Sequence, residues 1–187
     1  MLPFETPTIF DQLPRYIYYI PRVVLNQRHK FETDELFKKC SRDSEVRFTG
    51  YRDRPREERN FRFQTGLREG HTELAYVSHG TNLQLVFSPR SNNYGSDYCD
   101  FDKEQGKVHI QSSFIMNGVC VRWRGWIDLQ KLEGTGCLEF DEEKAKIEDE
   151  ILKAQIANHR ERMRESDSKR FIRDSVEGET NIAYHPA

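Results

Sequence analysis

"FIMNGVCVRWRGWIDLQ" runs from Phe114 to Gln130. Its odd positions from 119 onward are Val119, Val121, Trp123, Gly125, Ile127 and Leu129. Its even positions are Cys120, Arg122, Arg124, Trp126, Asp128 and Gln130. This alternation is the period of a half-buried β-strand, apolar on one face and mixed on the other. Met116-Asn117-Gly118 stands just before it and contains ordinary turn residues. A strand with one solvated face points to an antiparallel sheet or small barrel rather than a fully covered parallel sheet.

The same pattern recurs on either side. In Glu45–Tyr51, Val46 and Phe48 alternate with Arg47 and Thr49. In His71–Phe87, Leu74 and Tyr76 form one run and Leu83, Leu85 and Phe87 another, separated by Gly80. Two such runs around a glycine predict a hairpin. Ser88–Asp97 reads as a polar loop, and Tyr98–Phe101 and Lys107–Gln111 as further strands. The glycines of "LEGTGCLEF", Leu132–Phe140, read as turn residues at positive φ.

Three helices complete the pattern. Phe31–Arg42 has Thr33 as N-cap, Asp34 and Glu35 in its first turn, and an apolar stripe of Leu36, Phe37 and Cys40. Pro55 opens the second, with Glu57 and Glu58 in its first turn and Phe61 and Leu67 facing inward. The third, Phe140–Glu165, is capped by Asp141, with acids early and arginines late, as the helix dipole favours. Its apolar seam of Ile147, Ile151 and Ala154 is narrow. Clustered strands with flanking helices make an α+β fold. The expected organisation is an N-terminal extension at 1–20, including a Tyr16–Ile20 run, then a folded domain at 21–150. The helix continues into solvent over 151–165, and a disordered polar tail follows at 166–187.

With 187 residues, 36% hydrophobic and 32% charged, the chain is long enough for one domain with a sizeable core. A net charge of −2 gives no global attraction for phosphate backbones. Cys40, Cys99, Cys120 and Cys137 contain no C-x-x-C pair and read as reduced thiols of an intracellular protein. The first twenty residues carry three prolines, Glu5 and Asp11, unlike a secretory signal, and no apolar run reaches the length of a membrane span.

Catalytic patterns are weak. His71 and Glu73 are close but lack an H-E-x-x-H continuation, and the other histidines are scattered without ligand spacing. There is no G-x-S-x-G elbow and no P-loop lysine. The residues therefore predict no catalytic site, metal site or cofactor. Two binding readings stay open. Arg122, Arg124 and Trp126 on one strand face suit an OB-like module for single-stranded nucleic acid, although a solvated strand face explains them more simply. Gly80-Thr81-Asn82 and Met116-Asn117-Gly118 are either plain turns or exposed corners for another protein.

Longer stretches bear on this choice. "PRVVLNQRHKFETDELFKKCSR", "RFTGYRDRPREER", "ELAYVSHGTNLQLVF" and "MNGVCVRWRGWIDLQKLEGTGCLEFDEEKA" resemble, in order, the core-binding factor beta or Brother family. The resemblance covers about Pro21 to Asp149. It implies a partly open, OB-like antiparallel barrel with flanking helices and a long C-terminal helix. It also implies a nuclear and cytoplasmic protein with no enzymatic activity, cofactor, small-molecule substrate or membrane. The implied partner is a Runt-domain transcription factor, whose DNA affinity the family raises in a heterodimer without touching DNA itself. The partner-binding positions it implies are Pro21, Arg22 and Val23; Gly80, Thr81 and Asn82; Val86; and Met116 and Asn117. Met116 stands where the family often has leucine, a volume-conserving change. Val86 stands where several members have a glutamine.

Overall fold

Val119–Asp128 is a strand with its odd residues inward, as the alternation predicts: Val119, Val121, Trp123 and Ile127 are all buried. The structure is a computed structural model that describes residues 21–87 and 97–182. The expectations for 1–20, including Tyr16–Ile20, for the loop at 88–96 and for 183–187 lie outside the described residues.

In chain order the elements are α1 (Gln27–Thr33), α2 (Glu35–Cys40), β1 (Ser44–Phe48), α3 (Arg56–Glu69), β2 (His71–Tyr76) and β3 (Asn82–Val86). Then come β4 (Tyr98–Asp100), β5 (Lys107–Met116), β6 (Val119–Asp128), β7 (Glu133–Phe140) and α4 (Glu142–Ile182). The strands form one sheet in the order β3-β2-β1-β7-β6-β5-β4, and every neighbouring pair is antiparallel. The sheet curls: Ser112 on β5 donates its hydroxyl to the Val86 carbonyl on β3 at 2.7 Å, far across the strand order. The result is an open half-barrel with flanking helices, the α+β arrangement expected. Its interior holds Phe37, Phe63, Leu74, Tyr76, Leu85, Ile110, Trp123 and Leu138. Each such side chain contributes roughly 1.5–3 kcal/mol on burial.

Four expectations are corrected. First, Leu132–Phe140 is not a turn region. It contains β7, a central strand between β1 and β6. Gly134 and Gly136 are absent from the positive-φ glycines; they are there because the sheet leaves no room for a side chain. A Cβ on Gly136 would stand 2.2 Å from Cζ2 of Trp123, and one on Gly134 would stand 1.8 Å from the Trp126 carbonyl oxygen. Second, the first helix begins earlier and breaks. Asn26 caps α1, and Asp34 rather than Thr33 caps α2, accepting from the Leu36 amide at 2.8 Å. Asp34 takes an extended conformation at the break, whereas the Thr33 hydroxyl donates back to the His29 carbonyl. Third, α3 turns Phe63, 1% exposed, and Leu67 inward, while Phe61 is 65% exposed. Phe63 and Leu67 lie one helical turn apart; Phe61 and Leu67 do not share a face. Fourth, α4 seats Ala145, Glu148 and Leu152 on the body, not Ile147 and Ile151, which face solvent. A carboxylate in the seam hid it from an apolar search.

Asp141 does cap α4, accepting from the Lys144 amide at 3.1 Å. Within the 151–165 stretch expected in solvent, Leu152 is still seated on the body; beyond Ile156 every described side chain of α4 is exposed. The expected disordered tail at 166–187 is helical as far as Ile182. Residues there include good helix formers such as arginine, glutamate and lysine, which need no apolar face to favour a helix.

Candidate functional site

The strand directions bring the two corners together. Because each neighbour is antiparallel, β3 and β5 run in opposite senses. From their crossing at Val86 and Ser112, β3 runs back to Asn82 and β5 runs on to Met116. The β2–β3 corner and the β5–β6 turn therefore occupy the same end of the half-barrel. The end of β7 and the start of α4 lie there too, since the Asp141 amide donates to the Cys120 carbonyl at 3.1 Å.

Asn117 and Gly118 form a two-residue turn closing the Met116–Val119 pair, with φ of 48° and 79°. Two successive positive φ values define the hairpin turn whose twist suits the flanking strands, and Asn-Gly is its favoured pair. The Asn117 side chain is exposed. Gly80 has φ of 70°, and a Cβ built on it meets nothing within 4 Å, so it faces open space. Its corner is fixed from below. The Gly80 amide donates to the Tyr76 carbonyl at 2.9 Å, and the Tyr76 amide donates to the Thr81 carbonyl at 3.0 Å. The His79 ring stacks on Tyr76 and its Nδ1 lies 2.7 Å from the Thr81 hydroxyl. Asn82 is exposed at the start of β3, and Gln84 and Val86 continue the same outward face. Val86, 66% exposed, lies about 13 Å along the strand from Asn82.

The segment from Pro21 lies beside the β5–β6 turn. The Val24 amide donates to the Gly118 carbonyl at 2.9 Å. Pro21 and Arg22 are exposed, and an Arg22 guanidinium nitrogen is 3.5 Å from Glu148. Val23 does not meet the expectation of an open apolar contact. It is 4% exposed, packed with Cys120, Ala145 and Leu152, and it fastens the segment to α4. Met116 is half-buried against the core. The exposed apolar residue here is Leu25, 74% exposed, which sequence reasoning passed over. Its signal was modest: one leucine between a buried stretch and the Asn26 cap.

The arginine face of β6 is compensated rather than open to phosphates. Arg122 bonds Asp141 at 3.2 Å, and Arg124 Nε bonds Glu139 at 3.0 Å. That hydrogen bond with Glu139 raises the Arg124 pKa. Lys107 sits over the Trp126 ring, 4.2 Å from its centroid. The rim offers no activated nucleophile: burial pushes the Cys120 thiol up to about 11. Two open hollows, of about 330 and 300 Å³, include none of the expected partner-binding residues in their linings. Among the described residues no acid, histidine and thiol cluster could hold a metal, and no helix is long and apolar enough to cross a membrane. The rim presents amide side chains, bare backbone and small apolar groups, which is chemistry for gripping a polypeptide.

Known proteins resemble this chain over most of its length. A family model for the core binding factor beta subunit matches residues 20–184. Protein big brother of Drosophila melanogaster is 58% identical over 182 residues, covering 96% of this chain and 85% of that one. Protein brother of the same organism is 54% identical over 166 residues, covering 88% of this chain and 78% of that one.

Proposed function

The chain belongs to the core-binding factor beta family, and on that footing we propose that it is the regulatory subunit of a heterodimer with a Runt-domain transcription factor. It does not bind DNA itself and catalyses no reaction. It acts in the nucleus and is also present in the cytoplasm.

The observation that carries the reading is the pairing of two open corners at one end of a stiff half-barrel. Gly80 lets a partner backbone approach unobstructed. Asn82 and Asn117 are exposed and offer donors and acceptors for partner main-chain groups. Thr81, Pro21 and Arg22 border these corners, Met116 supports the turn, and Val86 extends the surface up the β3 edge. Val23 contributes from beneath. The folded unit at 21–150 supplies all of these positions, and the α4 continuation at 151–165 supplies none.

The partner's DNA-contacting loops sample more than one shape. A subunit that binds the DNA-competent shape more tightly shifts the population toward it. Such coupling is worth about 1–3 kcal/mol, or roughly 5- to 150-fold in DNA affinity. It needs no phosphate contact, so the net charge of −2 is no obstacle. Light-scattering measurements on a mixture with a Runt domain test the heterodimer directly. A one-to-one complex is expected without DNA; two separate monomers at concentrations of about 10 μM would contradict it.

A further inference from the structure

We propose that Lys30, on α1, is a positioning residue for the partner rim: it sets how the Asn117 side chain is presented. The proposal rests on the reading that this rim docks a Runt domain, and it deepens that reading. Three groups from one short segment converge on the β5–β6 turn. The Val24 amide holds the Gly118 carbonyl at 2.9 Å. The Lys30 ammonium donates to the Asn117 carbonyl at 2.7 Å. Gln27 accepts from the Cys120 amide through Oε1 at 2.8 Å. Gln27 is itself 2% exposed and has no spare donor. Its amide nitrogen donates to the Ala145 carbonyl at 3.3 Å and to Asp149 Oδ1 at 2.7 Å, fastening α1 to α4.

A two-residue turn is closed by its own strands and needs no cation on its central carbonyl. The Asn117 carbonyl belongs to the turn beyond the Met116–Val119 pair, and its bond to Lys30 is exposed, so water could serve it equally well. A lysine held there removes the turn's freedom to rock about the strand ends. What it fixes is the direction of the adjacent exposed amide side chain. Ordering that side chain before the encounter spares the complex part of the entropy loss of docking. Gln27 and Val24 make α1 a rigid base from which the lysine reaches.

The test uses the full chain. Lys30→Met keeps the aliphatic stem and deletes the donor; Lys30→Arg keeps a donor. Lys30→Met is expected to speed amide exchange over residues 116–120 by roughly 2- to 12-fold, the range for one net hydrogen bond, with a near-unchanged melting temperature. Runt-domain affinity should fall by a similar factor, and Lys30→Arg should restore both. In an Asn117→Gly background, Lys30→Met should cost little further affinity, because its effect passes through the side chain already removed. The proposal is overturned by unchanged exchange, by unchanged affinity where exchange has risen, or by a Lys30→Met loss that simply adds to that of Asn117→Gly. Failure of the wild-type chain to bind a Runt domain would overturn this proposal as well as the functional reading. The exchange arm, which involves no partner, would still show separately whether Lys30 holds the turn.

Discussion

Asn117 can be removed in two ways, and the structure predicts different consequences for folding but the same consequence for binding. At φ of 48° it sits in the left-handed region, followed by Gly118 at 79°. Asn117→Ala places an ordinary side chain there, at a cost of about 1–2 kcal/mol. For a chain of this size that corresponds to about 2–8 °C in melting temperature. Asn117→Gly tolerates the same φ and costs only about 0.4–1 kcal/mol through greater freedom of the unfolded chain, or about 1–4 °C. Both substitutions delete the exposed amide. If that amide pairs with partner main-chain groups in a desolvated interface, both lose about 1–3 kcal/mol of binding, roughly 5- to 150-fold in Kd. Thermal melts followed by circular dichroism give the first quantity, and calorimetric titration with a Runt domain at 25 °C gives the second. Equal binding losses beside unequal melting shifts identify Asn117 as a contact. Binding losses that scale with the melting shifts, or no loss in either variant, would refute the reasoning and make the residue a turn former only.

The packing account makes its own demands. Gly136→Ala should destabilise the chain by more than about 3 kcal/mol, or prevent folding, because its Cβ would meet the Trp123 ring at 2.2 Å; a near-normal urea midpoint would contradict this. Phe63→Ala should cost about 3–5 kcal/mol and Phe61→Ala within about 0.5 kcal/mol, so a chemical denaturation series that reverses their order would show that α3 is seated on the wrong face. Removal of residues 166–187 should change neither the melting temperature nor Runt-domain affinity, since every described side chain beyond Ile156 is exposed; a loss in either would assign the end of α4 a role on the body or the partner.

The strands with a clean apolar face were legible because one side of each is buried and the other wet. Leu83, Leu85 and Phe87 against Asn82, Gln84 and Val86 is the plainest case. β7 escaped notice for the opposite reason. Its inward positions 134 and 136 are glycines that yield their volume to Trp123 and to neighbouring backbone, so the strand has apolar burial without an apolar pattern. The α4 seam was misplaced because it contains Glu148, whose carboxylate meets Arg22 across the rim. A single sequence gives no sign of a pair so far apart along the chain. The two corners were legible as exposed turns, and the wording around them carried the partner. Their meeting at one end was not legible, since it depends on the sheet order and on the curl that brings β3 to β5. Gln27 and Lys30 were missed because each looks like an ordinary helix residue until the Asn117 turn is folded beside it.

The central claim is thermodynamic coupling, and a DNA-binding titration of a Runt domain with and without saturating amounts of this chain tests it most directly. The account predicts that the Runt domain's Kd for duplex DNA falls by roughly 5- to 150-fold, while this chain alone leaves the duplex unbound at every salt concentration. An unchanged Kd, or retention of the duplex by this chain in the absence of the Runt domain, would contradict it.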